Sequence, residues 1–99
     1  MSNATKHDKI LLQIEAALPL LQLEIAKAEN GIKAVDSLRS LKFIKNRLED
    51  MKQMIWSDLI QKDERYRGSM GHLVIDTWPL RDPLGSKITE IEYAFYRLK

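Results

Sequence analysis

The sequence predicts an all-α fold: a long antiparallel helical hairpin plus a C-terminal helix, three-helix and bundle-like, with an irregular or short-strand connection at about 63–83. Three observations predict it. Apolar residues recur at helical spacing in three stretches, 11–28, 41–59 and 84–98. Asn30-Gly31 separates the first two by a short break, and helices joined so closely pack antiparallel. Asp82-Pro83 opens the third with a capping side chain and a proline at the first helical position.

The first helix is expected over 8–29, with Thr5 or Asp8 as N-cap, since either side chain can accept from a free amide of the first turn. Residues 1–7, including Ser2-Asn3-Ala4, read as a disordered leader. Leu11, Ile14, Leu18, Leu21, Ile25 and Ala28 share one face. Leu12, Ala16, Leu20 and Leu23 form a second apolar row, roughly opposite the first at about 100° per residue. A helix apolar on two sides has to be covered on two sides, by its own chain or by another. Pro19 lacks an amide hydrogen and its ring crowds the Glu15 carbonyl, so a kink or a break is expected near 15–19. Asn30-Gly31 stops the helix, because both residues tolerate the left-handed C′ conformation.

The second helix is expected over 32–62. Leu41, Ile44, Leu48, Met51, Ile55 and Leu59 form its stripe, and Phe43, Met54 and Trp56 sit off its centre. Lys45–Glu49 and Asp58–Lys62 are i,i+4 pairs of opposite charge, each contributing about 0.3 kcal/mol. The connection, 63–82, changes character. Gly68 and Gly71 break helical order, Leu73-Val74-Ile75 is rich in β-branched residues, and Trp78-Pro79 imposes a turn. It should fold back and bury Leu73, Ile75 and Trp78, as a strand over 72–77, a short helix or an irregular segment. A strand here needs a mate from a second copy. The C-terminal helix is expected over 83–98, with Leu84, Ile88, Ile91, Phe95 and Leu98 as its stripe and Tyr93 and Tyr96 pointing away.

Composition bounds the rest. Ninety-nine residues make one domain, 1–99. An apolar share of 44% with 30% charged residues suits a soluble globular chain rather than a disordered or membrane-spanning one. No cysteine is present, which excludes disulfides, thiolate metal sites and cysteine nucleophiles and suits a reducing cytoplasm. No apolar run reaches the roughly 18 residues of a membrane span, and Lys6–Lys9 introduces no secretory leader pattern. Residues 32–62 hold seven basic and four acidic side chains, so the middle of the chain is mildly basic.

Chemistry-bearing patterns are sparse. His7 and His72 lack a metal-ligand spacing, so no metal or cofactor is expected. Ser69, His72 and Asp76 are the residue types of a hydrolase triad, but no nucleophile-elbow motif surrounds Ser69. Asp63-Glu64 beside Arg65 and Arg67 reads as a solvated helix end. Gly68-x-x-Gly71 lacks the Lys-Ser/Thr of a phosphate loop and reads as chain flexibility. The chain is therefore read as a non-enzyme. Arg39, Lys42, Lys45 and Lys52, with Arg47, are the candidate phosphate contacts of a nucleic-acid-associated regulator, though Asp36, Glu49 and Asp50 are mixed among them.

The surplus apolar surface of the first helix points elsewhere. The C-terminal helix could cover its second row. Otherwise Leu12, Leu20 and Leu23, with Phe43, Met54 and Trp56, form a patch for another protein chain, self or heterologous, and a homodimer or other helical assembly is expected. The expected function is a helical interaction module of the adaptor, inhibitor, immunity or chaperone kind.

Overall fold

The computed structural model describes residues 5–98. It holds four helices: α1 (Lys6–Glu29), α2 (Leu38–Trp56), α3 (Ser69–Thr77) and α4 (Pro83–Tyr96), with a 3-10 turn at Glu64–Tyr66. Among the described residues there is no strand. α1 packs against both α2 and α4, while α3 packs on α4. The hairpin and the C-terminal helix are thus as the sequence predicts, and α3 is added within the connection.

α1 begins at Lys6, two residues earlier than expected. Thr5 caps it: the Asp8 amide donates to Thr5 Oγ1 at 3.1 Å, and the Thr5 amide donates back to Asp8 Oδ2 at 3.3 Å. Residues 1–4 of the expected leader lie outside the described residues. Pro19 does not split α1, which is one continuous helix. Pro19 and Glu15 are both exposed, so water can take the carbonyl that loses its amide partner. The helix stops at Gly31 (φ +71°), where the Ile32 amide reaches back to the Lys27 carbonyl at 2.8 Å and that of Gly31 to Ala28 at 3.3 Å.

α2 is shorter than the expected 32–62 at both ends. Ser37 caps it, accepting from the Ser40 amide at 3.2 Å. Residues 32–37 form a loop held at two points. The Val35 amide donates to Glu24 Oε1 at 3.0 Å, and Trp78 Nε1–H donates to Asp36 Oδ2 at 2.9 Å. At the far end Asp58 turns left-handed (φ 56°), its amide bonded to the Ile55 carbonyl at 3.2 Å and that of Leu59 to Met54 at 3.0 Å. This is the same stop as at Gly31, built on a residue whose Cβ makes it costlier. Asp58–Lys62 therefore does not lie on a helix, whereas Lys45 and Glu49 approach to 3.9 Å.

Of the three forms the sequence allows for 72–77, the structure has the short helix, as part of α3. A helix pairs its backbone groups internally, so it needs no mate. Trp78 is buried and Leu73 half-buried as expected, but Ile75 faces out. α3 lies so close to α4 that a Cβ on Gly85 would stand 2.8 Å from Val74 Cγ1, and one on Gly71 3.2 Å from Glu92 Oε1. Gly71 thus serves close packing inside α3 rather than flexibility. In α4, Asp82 accepts from the Leu84 and Gly85 amides at 2.9 and 3.0 Å, and Pro83 takes the first position. All five stripe residues of the C-terminal helix are buried, as is Tyr96, contrary to expectation, while Tyr93 is exposed.

The core seam of α1 is Ile10, Ile14, Ala17, Leu21 and Ile25, with Leu11, Leu18 and Ala28 at its flank. α2 and α4 share this one broad face. The expectation that the C-terminal helix would cover the second row therefore fails. Three helices around one core leave the back of each to solvent.

Candidate functional site

Leu12, Leu20 and Leu23 are 64%, 38% and 61% exposed, and Ala16 between them is exposed too. α4 runs antiparallel beside this row: its start lies near 20–27 of α1, its end near 6–13. Between the C-terminal half of α1 and the start of α4 is an open groove of about 460 Å³. Leu20, Leu23, Ile32, Val35 and Leu84 supply its apolar walls, and Glu24, Lys27 and Asp82 its charged ones. Glu24 accepts from Lys27 Nζ at 2.9 Å as well as from Val35. The Lys27 ammonium chiefly holds its carboxyl below the usual glutamate range, burial opposes that shift, and the Val35 amide adds to it.

The other three candidate anchors lie on α2, apart from this row. Phe43 is half-buried, its ring centre 6.2 Å from that of Tyr66. Met54 is half-buried as well, and its Sδ accepts from the Gln61 amide at 3.4 Å. The return segment after α2 therefore covers both. Trp56 is 58% exposed, with the Lys52 ammonium 4.6 Å from its ring centre.

The candidate phosphate contacts scatter in the same way. Arg39 and Lys42 are exposed, Lys45 approaches Glu49, and Lys52 lies on Trp56. Arg47 is only 7% exposed. Its guanidinium lies 4.6 Å from the Tyr66 ring centre, and its Nη2 makes a long contact to Tyr96 Oη at 3.5 Å. The Tyr96 hydroxyl donates to the Asp63 carbonyl at 2.7 Å, and burial chiefly pushes its phenol pKa up. These contacts fasten the return segment to α2 and α4.

Ser69, His72 and Asp76 share α3 without forming a relay. His72 Nε2 is 2.9 Å from Asp76 Oδ2, both exposed, but the Ser69 hydroxyl donates to the Tyr66 carbonyl at 2.7 Å. The residue that sequence reasoning missed is Glu92. It is 5% exposed, and its Oε2 and Oε1 accept from the Met70 and Gly71 amides at 3.1 and 3.0 Å. Gly68, at the N-cap, has no side chain to do this. The signal was present: Glu92 falls beside the buried stripe of the C-terminal helix.

Among the described residues no three His, Asp or Glu side chains converge as metal ligands. No helix there is long and apolar enough to cross a membrane. Comparison with family models, curated proteins and solved structures finds no match to this chain.

Proposed function

We propose that this protein is a non-enzymatic interaction module that binds another protein chain through the outer face of α1. The observation that carries the reading is the exposed row Leu12, Leu20 and Leu23 beside an apolar groove. Exposed leucines scattered singly need no explanation, but an aligned row bordering a groove is the form of a helix-docking surface. Binding removes this row from water, with the leucines as anchors and Glu24, Lys27 and Asp82 at the rim. An adaptor or an inhibitor works in this way, and a cysteine-free chain suits the cytoplasm.

The test is site-specific photocrosslinking in the cells that make the protein. A benzophenone side chain at Leu23, or separately at Leu12, is expected to give a discrete covalent adduct, and one at Lys42 on α2 none. Absence of an adduct from both leucine positions overturns the reading.

A further inference from the structure

We propose that the occupant of this face is a second copy of the chain, docked antiparallel across a two-fold axis at Ala16. The proposal rests on the interaction reading above and names its partner. Leu12 and Leu20 stand four residues either side of Ala16, so a two-fold there sets Leu12 against the partner's Leu20, twice. The small Ala16 at the axis lets the two helices approach closely, with ridges of i,i+4 residues interlocking. Lys9 falls opposite the partner's Leu23, where its methylene stem can cover the leucine while its ammonium stays at the rim.

Charge selects this orientation. Between the start of α1 and the end of α4 is a depression of about 330 Å³ that carries Lys6, Lys9 and Arg97 and, among the described residues, no carboxylate. The groove at the other end carries Glu24 and Asp82, with Lys27 already paired to Glu24 at 2.9 Å. Antiparallel docking lays each basic end over the partner's acidic end. A parallel pair would stack Lys6, Lys9 and Arg97 on their own copies, which is repulsive. The depression at the axis is lined by Leu12 and Ala16 and flanked by Lys9, Lys87 and Glu90.

The absence of cysteine makes the test direct, since any introduced thiol is the only one. Ala16→Cys is expected to form a disulfide-linked dimer under mild oxidation. A mixture of Leu12→Cys and Leu20→Cys chains should cross-link, while Leu12→Cys alone should not, because antiparallel docking sets its two copies roughly 12 Å apart along the axis. Sedimentation of the unmodified chain should show a concentration-dependent dimer, and Lys9→Glu should raise its dissociation constant about tenfold. A monomer at every concentration without Ala16→Cys cross-linking overturns the proposal, as does cross-linking of Leu12→Cys alone. If the cellular adduct at Leu23 then contains a different protein, the interaction reading stands and the second-copy proposal falls. If no adduct forms, both fall.

Discussion

At the residue scale, two side chains carry the sharpest predictions. Asp58 holds a left-handed turn (φ 56°) that closes α2. Asp58→Gly keeps the turn without the Cβ cost and should raise stability by about 0.5–1 kcal/mol, read as a higher urea midpoint with an unchanged slope. Glu92 caps α3 from another helix by two hydrogen bonds, from Met70 and Gly71. Glu92→Ala strands both amides and should cost about 2–3 kcal/mol. Glu92→Gln retains one acceptor oxygen and should lose less. Equal losses for the two variants in chemical denaturation would contradict the capping role. Asp58 was legible only as a polar residue inside an apolar period, since a left-handed turn at a non-glycine leaves little mark in a sequence.

At the element scale, the α3–α4 contact depends on Gly85. Within a helix alanine is ordinarily favoured over glycine, by up to about 1 kcal/mol in the interior and less in the first turn, where Gly85 sits. Here its Cβ would stand 2.8 Å from Val74 Cγ1, so Gly85→Ala should instead destabilise, by about 1–3 kcal/mol. Val74→Ala in the same chain should recover part of that loss, a coupling that a double-mutant cycle measures. The loop between α1 and α2 depends on Glu24. Its folded carboxyl titrates below the ordinary range, so its stabilisation is complete above the unfolded value and is lost as pH falls through the folded one. The melting-temperature gap between the natural chain and Glu24→Gln should therefore narrow below about pH 4. Both loop and packing were hidden from periodicity, which reports which face of a helix is apolar and not where a distant carboxylate arrives.

At the scale of the whole molecule, α1 is packed by two helices, α2 and α4, along one broad face, while α3 packs on α4. Amides of α3 should therefore exchange with solvent sooner than those in the middle of α1 in native-state hydrogen exchange. The same architecture explains the outward row. A third helix docks into the groove between two others and so adds to the seam of Ile14, Leu21 and Ile25 without wrapping around to Leu12 and Leu23.

By itself the sequence determined the all-helical class, the break at Asn30-Gly31, the Asp82-Pro83 start of the last helix and its buried Leu84, Ile88, Ile91, Phe95 and Leu98, though not Tyr96, because caps and apolar periodicity are local properties of consecutive residues. It also marked Leu12, Leu20 and Leu23 as a second apolar row. Only the tertiary structure decided that α4 leaves this row open, that Phe43 and Met54 are covered by the return segment, and that Arg47 and Glu92 are buried. Those outcomes depend on where separate segments meet in space, which is set by the packing of the whole chain around one core.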